Sequence, residues 1–243
     1  DYILIIYYLM TSFEKFIELP NLPTENIYKA FNDFIFTDDY LIIGKLLQRH
    51  IFFEKIKDLP GDIVELGVFK GSGIATWCKL IELNNAYSNR KVIGFDLFDT
   101  NNDIITKYKN GDSMNHVYNR VNSNDLTLET VNNNLDKLNT KYKKYLLIKG
   151  DIVQTTKKFV DENPGLRISL LYIDVDLSEP TYHGLKNLWD NIIPGGYIIF
   201  DEYNIHKFDE CNGVDKFLKE NNIEYEIKSI NSIAPTAYLI KKK

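Results

Sequence analysis

Short unbroken apolar runs alternate along the chain with longer stretches whose apolar residues recur every three or four positions. The runs lie at 63–67, 91–95, 145–148, 168–173 and 197–200 and are rich in Val, Ile, Leu and Tyr. Such runs read as strands buried on both faces of a parallel sheet. Residues 11–59 read as helical, with Thr37-Asp38-Asp39 as an N-terminal cap and Tyr40, Ile43, Leu46, Leu47 and His50 to Phe53 in phase. Leu59-Pro60-Gly61 ends that segment. The spacing predicts a helix over 71–83, with Ile74, Trp77, Cys78 and Ile81 on one face, and further helices over 126–138 and 214–220. Residues 99–124 are polar and irregular, and loops of this length are usually functional or disordered. Pro194-Gly195-Gly196 supplies the turn that admits the fifth run. Two late runs, 225–230 and 237–240, leave no room for a helix between them and should pair antiparallel.

Strands alternating with helices, followed by a closing hairpin, predict an α/β fold. The expected form is a doubly wound, mostly parallel seven-stranded sheet with a C-terminal antiparallel hairpin. The expected division is a helical N-terminal extension over 1–59 and a sheet domain over 60–243; no repeat, linker or low-complexity tract suggests another. Hydrophobic residues at 44% and charged residues at 26% are ordinary for a globular chain. A net charge of -5 and the lack of a basic stripe argue against a nucleic-acid surface. Lys241-Lys242-Lys243 reads as a solvated tail. Cys78 and Cys211 stand far apart and the four histidines show no HExxH spacing, which excludes a disulfide framework and a zinc signature and fits a reducing cytoplasm. Residues 1–9 are apolar but far short of the about 20 residues a spanning helix needs. They also lack the basic start and cleavage site of a signal peptide, so no membrane attachment is expected. Two readings of that segment stand: an extension upstream of a start at Met10, or an element that docks on a partner subunit.

The candidate chemistry lies where the strands end. Tyr172-Ile173-Asp174-Val175-Asp176 and Phe200-Asp201-Glu202 are apolar runs that stop abruptly in carboxylates. Ligands of open α/β sheets bind outside the carboxyl ends of the strands. Two strands delivering acids to that edge offer hard oxygens for a divalent cation such as Mg²⁺. The competing reading, N-caps of the following helices, explains one such acid more easily than four. Glu65-Leu66-Gly67-Val68-Phe69-Lys70-Gly71-Ser72-Gly73 joins the first strand to the first helix of the sheet domain. Gly67 and Gly71 permit a positive φ and close backbone approach, and the helix start offers free N–H groups. Phe69 stands where a dinucleotide fingerprint has its second glycine, which leaves little room for a pyrophosphate. The loop suits a smaller cationic ligand whose amino-acid group meets Gly67 while Glu65 receives the ammonium, a pattern that fits S-adenosylmethionine. Asp96 ends the second strand, where an acid commonly holds ribose hydroxyls. Asp151 ends the third and is placed to meet an adenine amino group, although each of these acids also reads as a cap or turn residue.

In this arrangement the chain resembles the macrocin O-methyltransferase family. The resemblance rests on Pro60-Gly61-Asp62-Ile63-Val64-Glu65-Leu66-Gly67-Val68, Gly94-Phe95-Asp96-Leu97-Phe98, Gly150-Asp151-Ile152, Tyr172 to Leu177, Pro194-Gly195-Gly196 and Asp201-Glu202-Tyr203. It runs from about residue 59 to residue 220. It implies a class I methyltransferase, Rossmann-like sheet and an enzyme dependent on S-adenosylmethionine and Mg²⁺ that methylates sugar hydroxyls of natural products. Asp174, Asp201 and Glu202 would hold the metal. Glu65, Gly67, Asp96 and Asp151, with Val68, Phe69, Gly71, Ser72 and Asp174 around them, would hold the cofactor. The chain departs from the family pattern at Glu202, where a second Asp is usual. It departs again at Ser178-Glu179-Pro180-Thr181, where Tyr-Asp-Ser-Thr is typical, and in the 100–124 loop, which lacks the Glu-Gly-Leu-Pro continuation.

Methyl transfer of this kind needs a base for the acceptor hydroxyl. Asp176 is the first candidate and Asp174 the alternative. Related metal-dependent methyltransferases place a lysine where this chain has Leu177. His116 would serve if its loop folds over the site, His206 would touch substrate, and His183 reads as structural. The expected partner is a small sugar or glycoside, with the N-terminal helices and the 100–124 loop shaping its pocket and offering a contact for a homo-oligomer. Asp174-Val175-Asp176-Leu177-Ser178 also matches the DxDx(T/S) strand end of dehalogenase-like phosphatases. Those carry it on the first strand, and the Gly67 loop would go unexplained. A DxD glycosyltransferase would need a nucleotide-sugar site beside Phe69. A non-catalytic S-adenosylmethionine-binding relative is the remaining alternative.

Overall fold

A computed structural model describes residues 24–99 and 103–242. Two compact units divide the chain between Asp39 and Tyr40. The first unit contributes helix α1 (Glu25–Ile35), which buries none of its residues and leaves Ile27, Tyr28, Phe31 and Ile35 exposed. The second begins with α2 (Tyr40–Ile56), so the boundary expected at residue 59 falls 20 residues earlier. Residues 1–9, and the part of the predicted helical segment before residue 24, lie outside the described residues.

The second unit is a seven-stranded sheet. Its strands are β1 (Asp62–Leu66), β2 (Val92–Asp96), β3 (Tyr145–Lys149), β4 (Ile168–Ile173), β5 (Ile192–Phe200), β6 (Lys228–Ser229) and β7 (Ala237–Ile240), in the spatial order 3-2-1-4-5-7-6. β1 to β5 run parallel, and β7 pairs antiparallel with both β5 and β6. The predicted α/β fold with its closing hairpin is therefore the observed one. The sheet order reverses at β1, between β2 and β4, which is where open α/β sheets form their binding crevice.

Side chains alternate across the sheet, and both faces are buried. Ile63, Leu170, Tyr172 and Ile199 face one way, onto Phe52, Phe53 and Ile56 of α2 and Ile74, Trp77, Cys78 and Ile81 of α3 (Ser72–Asn85). Val64, Leu66, Leu171, Ile173 and Phe200 face the other way. There they meet α4 (Ile152–Glu162), α5 (Ser178–Leu188) and α6 (Glu210–Glu220) through Ile152, Leu185, Leu188, Val214 and Phe217. This double burial explains the near-continuous apolar strands.

Four details differ from the sequence expectation. Helix α4 was not singled out, because Asp151 reads as a site residue as easily as a cap; its side chain accepts from Val153 N and opens the helix. Pro194-Gly195-Gly196 is not a turn ahead of the strand but a bulge inside it. Pairing with β4 jumps from Ile168↔Ile192 to Leu170↔Tyr197 across these residues. β6 is only two residues long rather than the predicted six. The irregular 99–124 segment contains short helical turns at Ile105–Lys107, Gly111–Met114, Asn115–Tyr118 and Ser123–Leu126, anchored by Ile105 and Met114 packed on Leu177. No described helix is long and apolar enough to cross a membrane.

Candidate active site

Strand register builds the site. Phe95, Leu66, Ile173 and Phe200 pair side by side across β2, β1, β4 and β5. One residue further along each strand stand Asp96, Gly67, Asp174 and Asp201. Their row is closed by Gly67 N to Phe95 O at 2.9 Å, Asp174 N to Leu66 O at 2.9 Å and Asp201 N to Ile173 O at 3.0 Å. The sheet thus delivers one glycine and three carboxylates to a single line at its carboxyl edge. A cavity of about 410 Å³ opens over that line.

The glycine turn has a steric reason. Gly67 has a φ of 88°, and a Cβ there would run into the Asp174 carbonyl oxygen. Asp96 secures the loop that follows: its Oδ2 accepts from Val68 N at 2.7 Å and Phe69 N at 2.9 Å, while Oδ1 accepts from Phe98 N at 3.0 Å. This holds Phe69 at a φ of 52°, rare for a bulky residue. Asp151 binds both the start of α4 and the Tyr108 hydroxyl, at 2.7 Å.

Helix α2 lays two cations along this edge that the sequence reading overlooked. Lys45 Nζ lies 2.9 Å from Asp174 Oδ2 and 2.6 Å from Asp201 Oδ2; the second contact is an ion pair without hydrogen-bond alignment. Arg49, one helical turn on, reaches Glu65 Oε1 at 3.5 Å and places its guanidinium 4.6 Å from the centre of the Tyr172 ring. Burial works against the Lys45 charge, but Asp174, Asp201 and Glu202 outweigh it and hold its pKa above the ordinary lysine value. The signal was present in the sequence: two bases at i and i+4 share one helix face, as Lys45 and Arg49 do on α2.

The acids are frustrated. Burial, then the neighbouring Asp201, raises Asp174. Burial, with Asp174 and Asp201 next in weight, pushes Asp176 up to about 7. Glu202 and Glu210 are raised well above the carboxylate range, first by burial and then by Asp201. Asp176 sits at a φ of 63°, held by Leu177 N to Val175 O and Asp209 N to Asp176 O. Buried Oε2 atoms of Glu202 and Glu210 have no hydrogen-bond partner. Glu65 is also pushed up to about 7 by burial, which the Arg49 charge only partly offsets; its Oε2 accepts from Trp77 Nε1 at 2.7 Å.

Among the predicted residues, Glu65, Gly67, Val68, Phe69, Ser72, Asp96, Asp151, Asp174, Asp176 and Glu202 line the one cavity. Gly71, Asp201 and His116 do not. Gly71 faces Val131 on the helix Leu128–Leu135. His116 and His206 are exposed. Asp201, expected as a metal ligand, is fully buried; one of its oxygens takes the Tyr172 hydroxyl and the other faces Lys45. Asp201 shares the α2 face with Asp174, and Lys45 lies against both. The carboxylates that converge, with ligand atoms within 4.8 Å of one another, are Asp174, Asp176 and Glu202. Three hard oxygen donors and unpartnered buried oxygens beside them fit a divalent cation. The side-chain-free Gly67 turn beside the start of α3 fits a ligand that needs close backbone approach.

Residues 45–238 match the macrocin-O-methyltransferase (TylF) family. A Streptomyces olivaceus relative, 8-demethyl-8-(2,3-dimethoxy-alpha-L-rhamnosyl)-tetracenomycin-C 4'-O-methyltransferase, is 27% identical over 150 residues, which is 60% of this chain and 54% of that protein. The chain thus matches about half the length of that relative. Among solved structures, the calicheamicin methyltransferase CalS11 is similar with a TM-score of 0.71 at 22% identity, covering 95% of this chain and 90% of that one. The O-methyltransferase NovP is similar with a TM-score of 0.66 at 22% identity, covering 83% and 81%. At such identities the structural likeness shows a shared fold.

Proposed function

The chain belongs to the macrocin-O-methyltransferase family, and from that premise we propose that it transfers a methyl group from S-adenosylmethionine to a hydroxyl of a sugar or glycosylated natural product, aided by a divalent cation. The observation that carries this reading is that one cavity takes in both the Gly67 turn and the Asp174, Asp176 and Glu202 carboxylates. A single small alcohol can touch both. The sugar acceptor is supported by the relatives' names: one methylates a rhamnosyl tetracenomycin, and CalS11 is described as a TDP-rhamnose 3'-O-methyltransferase. The catalytic unit in this reading starts with α2, whose Lys45 and Arg49 line the cavity.

A cation among Asp174, Asp176 and Glu202 would supply Lewis acidity toward the acceptor oxygen, and S-adenosylmethionine against Gly67 would supply the sulfonium methyl. The chain's own residues do the rest. Asp176 would accept the hydroxyl proton at a carboxylate oxygen that the cation does not take. Glu65 presents its carboxyl group near the start of α3, where the cofactor ammonium would lie, and its own position is fixed by Arg49 and Trp77. Asp96 keeps the Val68–Phe69 turn in shape. Ile105, Met114, Val117 and Leu177 wall the cavity with apolar surface and thin the water around the reacting groups.

The test is methyl transfer from labelled S-adenosylmethionine to a panel of rhamnosides and nucleotide sugars, with and without EDTA. Transfer that EDTA abolishes and Mg²⁺ restores is the expected result. Full activity in chelator would remove the metal from the proposal. Binding of S-adenosylmethionine with no transfer to any sugar would overturn the acceptor class.

A further inference from the structure

We infer that Arg49 receives the carboxylate of the cofactor's amino-acid end, beside the ammonium that Glu65 takes. The inference rests on the S-adenosylmethionine reading above and adds to it a residue from outside the sheet. Arg49 lies on α2, lines the cavity together with Glu65, Gly67, Ser72 and Gly73, and is 7% exposed. A guanidinium carries five N–H donors. Among the described residues Arg49 uses none of them in a hydrogen bond: Nε is buried without a partner, and the contact of Nη2 with Glu65 Oε1, at 3.5 Å, is an ion pair only. Its guanidinium otherwise meets rings, 4.6 Å from the centre of Tyr172 and 5.8 Å from that of Trp77. Burial works against the charge, and Glu65 is the chief group that sustains it. Buried polar groups are normally satisfied, so a buried cation with its donors unused marks a place for an acceptor that arrives from outside.

The surroundings say which acceptor. Gly73 stands in the first turn of α3, and a Cβ there would lie 2.6 Å from Arg49 Nη2 and closer still to Glu65 Oε1. The Arg49–Glu65 pair is therefore packed directly against the start of α3. That start has no side-chain cap, and uncapped N–H groups at a helix start favour an anion. The arginine fork matches a carboxylate with two parallel N–H donors. A lone anion, such as the phosphate of a nucleotide sugar, would face the Glu65 carboxylate with nothing to offset it. The amino-acid end of S-adenosylmethionine brings one ammonium and one carboxylate, and Glu65 and Arg49 present the opposite charges side by side.

The experiment measures binding to the full chain by calorimetry, without acceptor, of two ligands that differ only in the carboxylate: S-adenosylmethionine and its decarboxylated form. Wild type should bind S-adenosylmethionine about tenfold tighter or more. Arg49→Met should weaken S-adenosylmethionine by about that factor and leave the decarboxylated ligand within about threefold, so that the preference collapses. Arg49→Lys, which keeps the charge but not the fork, should retain part of it. An arginine that only supports the fold would not single out the carboxylate. Equal weakening of both ligands, or of neither, overturns the inference, as does a wild type that prefers S-adenosylmethionine by less than about threefold. Binding of neither ligand by wild type overturns the cofactor reading as well. Arg49→Gln carries the same comparison if Arg49→Met does not fold.

Discussion

Two hollows of similar size open at opposite ends of the same sheet. The one at the amino ends of the strands measures about 370 Å³ and lies among Phe53, Gly61, Asp62 and Arg90. The one at the carboxyl ends measures about 410 Å³. At the amino end the polar groups are satisfied. Arg90 donates from Nε to Gly61 O at 2.9 Å and from Nη2 to Ile56 O at 2.9 Å and to Leu59 O, while Asp62 accepts from Lys91 N at 2.8 Å. At the carboxyl end acids crowd one another, and buried oxygens of Glu202 and Glu210 have no partner. Volume does not separate the two; unmet charge does. Buried polar groups are normally paired, so a cluster that is not paired marks a place built for something else.

The largest expected effects would expose this contrast as a double dissociation. Asp174→Asn should lower turnover by roughly 10²- to 10³-fold, because it removes a carboxylate from the converging set. It should leave the melting temperature unchanged or higher, since it also relieves repulsion from Asp201. Arg90→Ala should do the reverse: turnover within about twofold of wild type, and a loss of stability of about 2–4 kcal/mol as three carbonyls lose their charged donor. Steady-state kinetics and urea unfolding on both variants check this. Loss of activity in Arg90→Ala well below its melting temperature would break the comparison.

Glu65 sharpens the contrast, because it lies at the functional end yet is paired like a residue of the other. Replacing it by Gln keeps an acceptor for Trp77 but strands the Arg49 guanidinium, 7% exposed, without its carboxylate. Breaking one side of a buried pair costs about 3–5 kcal/mol. Glu65→Gln should therefore lower stability by about that much and weaken S-adenosylmethionine binding together, read by unfolding and by calorimetry. Weaker binding at unchanged stability would mean that Arg49 is held by the Tyr172 ring alone.

Much of this was legible in the sequence, for identifiable reasons. Apolar runs located the parallel strands because both sheet faces are covered. The residues after those runs marked the edge, because register carries each strand end to the same line. What escaped was whatever depends on side-chain direction between distant segments. Asp201 looks like a ligand by position, but the sequence does not show that its oxygens also meet Tyr172 and Lys45. Lys45 lies 129 residues before Asp174, the acid it meets, and no local pattern links the two. Glu210 drew no attention ahead of the helix expected at 214–220, yet it is fully buried and its Oε1 accepts from Glu202 N at 3.1 Å. His116 shows the opposite error: a loop histidine is chemically apt, but its loop buries Ile105 and Met114 and leaves the imidazole outside.

Unmet charge at the carboxyl end also predicts a pH dependence of stability in the metal-free chain. Asp176 is pushed up to about 7, chiefly by burial, from an ordinary value of 3.8. Between roughly pH 4 and pH 7 the native chain then binds more protons than the unfolded one, so stability falls as pH rises through that window. The loss should be on the order of a few kcal/mol and complete above about pH 7. Thermal scans from pH 5 to pH 8 measure it. Millimolar Mg²⁺ should flatten the curve at its upper end, where the carboxylates are charged and open to a cation. A melting temperature that climbs from pH 5 to pH 8 without metal would mean that the acids are better solvated than their burial implies.

The smallest effect tests whether the loop over the cavity belongs with the functional end or only with the scaffold. Tyr108 donates to Asp151 Oδ1 at 2.7 Å, and two residues on Asn110 Nδ2 donates to Asp209 Oδ2 at 2.8 Å. These two bonds tie the 103–122 segment to acids on either side of the cavity. Tyr108→Phe deletes one of them and keeps the ring packed against the Ile105, Met114 and Leu177 cluster. Asp151 still caps its helix through Val153 N, so stability should drop by no more than about 1 kcal/mol. If Asp151 meets the cofactor, freeing it from Tyr108 loosens its position and should raise KM for S-adenosylmethionine a few-fold while kcat stays level. A change confined to unfolding, with KM untouched, would assign the Tyr108–Asp151 bond to the scaffold and leave the loop no closer to the chemistry than the Arg90 hollow at the other end of the sheet.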